Sequence, residues 1–174
     1  MLDDKARQWF GDKYRILIDK GIDGFWNDMN EPAIFYSEKH LKEVFEKMED
    51  YKKMNLDVNT FFEMTGMIGG ICNNPEDYAS FYHNYKGRRY RHDQVHNLFG
   101  YYMTRSASEA FERYVPEKRI LLFSRASYIG MHRFGGIWQG DNASWWSHLK
   151  MNVKMMPSLN MCGFLYTGAD VGGF

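Results

Sequence analysis

The 174-residue sequence predicts an α/β fold built from parallel β/α units, as in part of a (β/α)8 barrel. Short apolar runs alternate with longer amphipathic segments along the chain. Polar residues follow each apolar run, where the active site of such a barrel is built. A complete barrel needs about 250 residues, so we expect the chain to contain only the middle-to-late strands.

The first predicted elements are a helix and a short buried strand. Apolar residues recur among charged ones over residues 5–20, which predicts a helix with a break near Gly11. After a turn, Phe25 and Trp26 begin the strand. Pro32 prevents its simple continuation, because proline lacks the N–H that a strand uses in pairing.

An amphipathic stretch at residues 38–55 predicts a surface helix with acid–lysine pairs four residues apart. These pairs are Glu38 with Lys42, Glu43 with Lys47, and Glu49 with Lys53. We interpret the chain as one catalytic domain over residues 1–174, with a helical excursion at about 36–70. Residues 60–92 are predicted to be irregular, since they contain several glycines and Pro75.

The second half continues the alternation of helices and strands. A helix is predicted over residues 94–113, with Asp93 as its N-cap. The unbroken apolar run at 120–123 predicts a strand buried on both faces. Further strands are predicted at 136–138 and 163–167, and a helix at 144–160 that extends at least to the region of Pro157.

Four polar groups follow these strands. They are Asn27 and Asp28 after the first, Ser124 and Arg125 after the second, residues 139–142 after the third, and residues 168–170 after the fourth. Because parallel strands end at the same edge of a sheet, we expect these groups to meet at one barrel mouth.

The composition gives no reason to expect a nucleic-acid or membrane partner. Basic and acidic residues number 22 each, so the formal net charge is zero. The short basic run at residues 86–92 is interpreted as a solvated loop, and no stretch has the length of a membrane span. The aromatic content of 17% suits both a packed core and a carbohydrate cleft, because sugar C–H faces stack on aromatic rings.

Cysteine and histidine usage points to neither a disulfide framework nor a metal centre. Cys72 and Cys162 lie far apart, which is compatible with a reducing, cytoplasmic location. His92 and His96 have the i,i+4 spacing of a metal pair on a helix, but no acidic or thiol ligand stands clearly beside them. Helix packing is the favoured interpretation, and we expect no metal and no cofactor.

Two of the strand-end carboxylates suit glycosidic bond cleavage. One carboxylate attacks the anomeric carbon or activates water, and the other donates a proton to the leaving oxygen. Asp28 and Asp141 both follow strands, so one barrel mouth is able to hold both. The expected substrate is therefore a small oligosaccharide or glycoside.

Three motifs carry a resemblance to a known family. The stretch GFWNDMNEP at residues 24–32 resembles the nucleophile signature of glycoside hydrolase family 31, the α-glucosidase and α-xylosidase family. The stretches SRAS at 124–127 and WQGDNASW at 138–145, with Gly130 and Arg133 between them, resemble the acid/base region. GADVGGF at 168–174 is a third match. The resemblance covers most of residues 21–174, and it implies a (β/α)8 TIM barrel.

The resemblance also implies roles for single residues. Asp28 corresponds to the nucleophile that forms a covalent glycosyl-enzyme, and Asp141 to the general acid and then base. Arg125 corresponds to a residue that contacts the bound sugar. The remaining pocket positions are Trp26, Met29, Trp138 and Phe174, together with Asp170, which either contacts sugar or holds its loop.

Glu31 is a carboxylate only three residues from Asp28, so it is a second candidate for the chemistry. We interpret it instead as structural support that ties its loop through backbone amides and neighbouring side chains.

The leading functional interpretation is a retaining α-glycosidase that hydrolyses terminal α-linked glucose. Alternatives are an α-xylosidase, α-galactosidase, transglucosidase or α-glucan lyase of the same family, or a non-catalytic carbohydrate-binding relic. The sequence is expected to be part of a longer enzyme. By itself, half a barrel exposes strand edges and apolar surface, so an isolated chain of this length is expected to risk association or inactivity.

Overall fold

A computed structural model of the chain describes residues 1–33, 35–72 and 74–174. These residues form two compact units, one made of Met1–Glu31 with Asn97–Phe174 and the other of Pro32–His96. Within the described ranges, none of the helices combines the length and apolarity needed to cross a membrane.

The described residues contain six strands. They are β1 (Gly24–Asn27), β2 (Tyr82–Tyr85), β3 (Arg88–Arg91), β4 (Leu121–Ser124), β5 (Gly136–Trp138) and β6 (Thr167–Gly168). In the first unit, β1, β4, β5 and β6 form a sheet in that order, and each neighbouring pair is parallel. The predicted α/β class with parallel strands is therefore confirmed, and the sheet is consistent with a partial barrel.

The register of the sheet aligns the ends of its strands. Asn27 lies opposite Ser124, which in turn lies opposite Ile137, and Trp138 lies opposite Gly168. The prediction of a strand at 163–167 was largely wrong, because β6 begins only at Thr167. β5 contains only three residues, so it offers few partners for a longer β6.

Helices of the first unit pack around this sheet. They are α1 (Asp4–Lys13), α2 (Arg15–Ile18), α7 (Leu98–Tyr114) and α8 (Trp146–Met161), with a short 3-10 helix at Met131–Arg133. The predicted break near Gly11 falls instead at Tyr14, between α1 and α2. Gly11 lies inside α1, and its lack of a side chain allows α1 to approach α7 closely. A Cβ at this position would stand 2.5 Å from the carbonyl oxygen of Ser106 in α7.

Two apolar clusters form the core of the first unit. One contains Ile18, Ala107, Phe111 and Leu122, and the other contains Tyr101, Met131, Ile137 and Phe164. The prediction that the strand at 120–123 is buried on both faces was only half right. Leu122 and Ser124 are buried, but Leu121 is 53% exposed, so β4 alternates like a strand with one covered face.

The two long predicted helices occur with altered boundaries. A separate short helix, α6 (His92–Val95), precedes α7, so Asp93 lies inside α6 and is not the N-cap. Its carboxylate instead accepts hydrogen bonds from Arg91. α8 continues through Pro157 to Met161, although a proline inside a helix lacks one backbone N–H donor and crowds the carbonyl four residues before it.

The second unit contains α3 (Glu38–Tyr51), α4 (Val58–Gly69), α5 (Pro75–Ser80) and the antiparallel pair β2–β3. α3 and α4 lie within the range predicted as an excursion. The lysine–glutamate pairs that the described residues of α3 form are Lys39 with Glu43, Lys42 with Glu46, and Glu49 with Lys52, which differ from the predicted pairs.

The prediction of irregular structure over residues 60–92 was wrong. A capping box of Asp57 and Thr60 begins α4, and the side chain of Asn74 caps α5. Lys86 and Gly87 have φ values of 47° and 74°, which suit the tight turn between β2 and β3. Most of the basic run therefore lies in a hairpin strand rather than a loop.

Candidate active site

Four charged side chains follow the four parallel strands at one edge of the sheet. Asp28 follows β1, Arg125 follows β4, Asp141 lies three residues after β5, and Asp170 lies two residues after β6. All four belong to the same compact unit. The structure therefore brings together the strand-end groups as the alternation of strands and polar residues predicted.

The guanidinium of Arg125 lies at the centre of three carboxylates. Its Nη1 atom is 3.2 Å from Oδ1 of Asp28 and 3.6 Å from Oδ1 of Asp141. Its Nε donates to Oε1 of Glu31 at 2.9 Å, and its Nη2 donates to Oε2 of Glu31 at 3.2 Å. One positive charge is thus shared among three acidic groups.

The two aspartates are held close together by this shared contact. Because both Oδ1 atoms lie within 3.6 Å of the same Nη1, they are separated by no more than twice that distance. Carboxyl separations of about 5–5.5 Å belong to retaining glycosidases, and about 6.5–9.5 Å to inverting ones. The bound on these two oxygen atoms includes the retaining separation and the lower end of the inverting one.

The interpretation of Glu31 as structural support through backbone amides and neighbouring side chains agrees with the structure in its side-chain part. The carboxylate of Glu31 lies on the side chain of Arg125, in the two-point geometry that a guanidinium and a carboxylate favour. This contact raises the pKa of Arg125, mainly through the hydrogen bond to Glu31 and then through the charges of Glu31, Asp28 and Asp141, while burial opposes the rise.

The loop after β1 is fixed by the buried side chain of Asn30, which is 1% exposed. Its Nδ2 donates to Oγ of Ser124 at 2.8 Å, and its Oδ1 accepts from the backbone N–H of Ala126 at 3.0 Å. These bonds join the loop after β1 to the loop after β4. Sequence reasoning did not assign a role to Asn30, because its partners lie more than ninety residues away.

A local turn between Asp28 and Glu31 directs both side chains toward Arg125. Met29 has a φ of 54°, a left-handed conformation that is uncommon for a residue with a side chain. Its backbone N–H donates to Oδ1 of Asp28 at 2.7 Å. The turn places Asp28 and Glu31 on different nitrogen atoms of the same guanidinium.

Asp170 is integrated into the loops after β5 and β6. Its Oδ1 accepts from Nε1 of Trp138 at 2.9 Å. Its backbone N–H and C=O bond to the side-chain amide of Asn142 at 3.0 and 2.8 Å. These contacts favour the loop-holding interpretation of Asp170, although its Oδ2 is buried and has no hydrogen-bond partner within the described part of the chain.

An aromatic cleft of about 310 Å³ has Asp170 in its lining, whereas Asp28, Asp141 and Arg125 are not among its lining residues. Its lining includes Trp26, Phe123, Trp138, Ala169 and Asp170. The rings of Trp26 and Trp138 meet edge to face with centroids 4.6 Å apart, and Trp138 is buried while Trp26 is 55% exposed. Phe123 was missed by the sequence reasoning, because an apolar residue inside a strand carries no signal for a cleft.

Met29 and Phe174 lie outside the lining of this cleft. Met29 is 44% exposed and Phe174 is 89% exposed. The backbone N–H of Phe174 donates to the carbonyl of Asn142 at 2.9 Å, so its backbone joins the loop that carries Asp141.

The histidine pair noted in the sequence belongs to the second unit. His92 is fully buried, with His83 at 2.9 Å from its Nδ1 and His96 at 3.4 Å from its Nε2. Burial, followed by the charges of His83 and His96, lowers the pKa of His92 to about 4. The described residues contain no group of three or more potential ligands arranged to hold a metal ion.

Comparison with known proteins identifies relatives over the whole chain. Residues 1–174 match the family model described as the glycosyl hydrolases family 31 TIM-barrel domain. The chain is 31% identical over 170 residues to alpha-glucosidase 2 of Bacillus thermoamyloliquefaciens, with 98% of the chain and 17% of the relative covered. It is 28% identical to an alpha-glucosidase of Saccharolobus solfataricus, with 97% and 22% covered. The chain thus spans about a fifth of the length of these relatives.

Solved structures give the same fold. A family 31 alpha-glucosidase from Bacteroides thetaiotaomicron superposes with a TM-score of 0.62 at 26% identity, covering 99% of the chain and 21% of that structure. A family 31 dextranase of Flavobacterium johnsoniae, complexed with glucose, superposes with a TM-score of 0.68 at 21% identity, covering 98% and 17%. The latter comparison supports the fold alone.

Proposed function

The chain belongs to glycosyl hydrolase family 31, and on this premise we propose that it carries the catalytic carboxylates of a retaining α-glycosidase. The proposed reaction releases terminal α-linked glucose from oligosaccharides. The observation that carries the proposal is that Asp28 and Asp141 share one guanidinium nitrogen of Arg125 at the mouth of the sheet. The rest of the barrel, and with it the rest of the sugar pocket, is supplied by further polypeptide.

In the first step, a carboxylate oxygen of Asp28 attacks the anomeric carbon of the glucosyl unit. The bond between that carbon and the glycosidic oxygen breaks, and Asp141 transfers its proton to the departing oxygen. In the second step, Asp141 removes a proton from water. The resulting hydroxide displaces Asp28, which releases glucose with its original anomeric configuration and restores Asp141 to the protonated form.

The geometry supports this division of labour. The Nη1 atom of Arg125 lies 3.2 Å from the Asp28 carboxylate and 3.6 Å from that of Asp141, so one cation positions both groups. When the glycosyl-enzyme forms, Asp28 becomes an uncharged ester. Asp141 is then the aspartate carboxylate that faces Nη1.

The aromatic cleft supports a sugar as the ligand. The perpendicular rings of Trp26 and Trp138 present apolar surfaces to sugar C–H groups, and Asp170 supplies a polar group beside them. The relatives are named as alpha-glucosidases, which favours glucose as the sugar.

Covalent trapping tests the proposal directly. The full-length protein is incubated with 5-fluoro-α-glucosyl fluoride, whose fluoride is displaced by the nucleophile and whose 5-fluorine slows the second step. Labelled peptides are then mapped by mass spectrometry. We expect the label on Asp28 and none on the Asp28→Asn variant, while the matched variant Asp23→Asn, at the opposite end of β1, is labelled normally.

Each outcome of the trapping experiment has a definite meaning. A label on Glu31 in the unaltered protein contradicts the assignment of the nucleophile. An unlabelled protein that reacts with the corresponding xylosyl or galactosyl reagent contradicts glucose specificity but keeps the mechanism. A protein that reacts with none of the three reagents contradicts the enzymatic proposal and favours a non-catalytic carbohydrate-binding role.

A further inference from the structure

The contact between Glu31 and Arg125 determines where the third guanidinium nitrogen points. The two carboxylate oxygens of Glu31 accept hydrogen bonds from Nε and Nη2 of Arg125, at 2.9 and 3.2 Å respectively. Because a guanidinium is planar and rigid, holding two of its nitrogens also fixes the third. That third atom, Nη1, is the one that contacts both Asp28 and Asp141.

Glu31 is itself held firmly enough to act as an anchor. It directly follows Asn30, whose buried side chain joins the loop after β1 to Ser124 and Ala126 on either side of Arg125. The side chains of Glu31 and Arg125 are 27% and 21% exposed, so their ion pair is less screened by water than a surface pair.

We propose that Glu31 is a positioning residue for the glycosidase reaction, which orients Arg125 toward Asp28 and Asp141. The inference rests on the proposed function. Glu31 does not react with the sugar in this scheme, since both of its oxygen atoms are engaged by Arg125.

The test compares two substitutions of Glu31 with a matched control. Glu31→Gln removes the charge, and Glu31→Asp keeps the charge but shortens the side chain by one methylene. Glu109→Gln is the control, because Glu109 also pairs with an arginine, Arg105 at 2.6 Å, and is 29% exposed. The values of kcat and KM are measured for each full-length protein with 4-nitrophenyl α-glucoside.

We expect Glu31→Gln to lower kcat about tenfold to a hundredfold, with KM changed less than about threefold, because a misplaced guanidinium affects the reacting geometry more than substrate binding. Glu31→Asp keeps a carboxylate for Arg125 but displaces Nη1, and it is expected to lower kcat about tenfold. Glu109→Gln is expected to leave kcat and KM unchanged.

Several results overturn the inference. Unchanged kcat in both Glu31 variants removes the positioning role. A loss of kcat/KM that comes from a higher KM with kcat unchanged, or an equal loss of kcat in Glu109→Gln, indicates a merely structural contact. If Glu31→Gln does not fold, Glu31→Asp decides alone, because unchanged kcat in that variant contradicts positioning. Failure of the proposed function is distinguishable, since it appears as an unaltered protein that neither hydrolyses the glucoside nor takes the 5-fluoro label.

Discussion

Replacement of Asn30 by alanine is expected to be costly, although Asn30 touches neither substrate nor reacting atoms in the proposed mechanism. Its carboxamide is 1% exposed and makes two hydrogen bonds, to Oγ of Ser124 and from the N–H of Ala126. Asn30→Ala removes both bonds, leaves the Ala126 N–H without this acceptor, and opens a small cavity.

The magnitude follows from these losses. Each hydrogen bond contributes about 0.5–1.5 kcal/mol net, and a buried polar group left without a partner costs about 1–3 kcal/mol. The Ala126 N–H is only part-buried, so its penalty lies at the low end. We therefore expect the free energy of unfolding to fall by about 2–4 kcal/mol, a large share of the roughly 5–15 kcal/mol that stabilises an ordinary domain.

Two measurements check this expectation. Urea unfolding followed by tryptophan fluorescence gives the change in the free energy of unfolding. Hydrogen exchange reports the Ala126 amide itself, which we expect to exchange about tenfold or more faster, because each 1.4 kcal/mol corresponds to about a factor of ten. Asn59→Ala, at an exposed position of α4, is the control and is expected to change stability by less than about 0.5 kcal/mol. A cost below about 1 kcal/mol, or unchanged exchange at Ala126, would refute the reasoning.

Two further predictions concern stability. Gly136→Ala is expected to cost about 1–3 kcal/mol in urea unfolding, because a Cβ there would stand 2.3 Å from the ring of Tyr166. Gly24→Ala, in β1, is the control, because a Cβ there would stand 3.9 Å from Cβ of Leu121, at ordinary contact distance; equal effects of the two substitutions would contradict the packing argument. His92 has a folded-state pKa of about 4, below its unfolded value of about 6.5, so its contribution is complete above pH 6.5 and is lost as the pH falls toward 4. Unfolding midpoints measured between pH 7 and pH 4 should fall less steeply in His92→Gln, and parallel curves for the two proteins would exclude His92 as a source of the pH dependence.

The sheet and the positions of its functional side chains were predictable from the sequence. An apolar run that stops at a polar pair marks the carboxyl end of a buried strand, and parallel strands share that end. For this reason, the strand-end positions of Asp28, Arg125 and Asp141 followed from local patterns. The register then placed Asn27 opposite Ser124, which brings the residues after both strands together.

Other features depended on information that local patterns do not contain. Gly11 looked like a helix breaker, but its lack of a side chain serves the close approach of α1 to Ser106 in α7. Glycines between residues 66 and 87 suggested irregular structure, yet side-chain caps and a two-residue turn organise helices and a hairpin there. In the first case, a glycine allows a tertiary contact. In the second, caps made by neighbouring residues form helices despite the glycines.

The roles of the two acids at the end of β1 likewise depend on information that local sequence patterns do not contain. Asp28 and Glu31 are similar in charge and are separated by only two residues, so sequence spacing does not distinguish their roles. Met29, with its φ of 54°, and the buried Asn30 lie between them. Because of the turn that these two residues form, the carboxylate of Glu31 accepts hydrogen bonds from Nε and Nη2 of Arg125, while that of Asp28 contacts Nη1.

This arrangement distinguishes all three acids by their contact with one cation. Glu31 makes two hydrogen bonds to Arg125, and both of its oxygens are occupied. Asp28 makes one contact at 3.2 Å and is 39% exposed, whereas Asp141 is farther away at 3.6 Å and is 47% exposed. The strongest contact belongs to the acid with no proposed covalent role, the intermediate one to the proposed nucleophile, and the weakest to the proposed proton donor. A proton donor must exchange its proton in every cycle, so the weakest contact with a fixed positive charge is the one that suits Asp141.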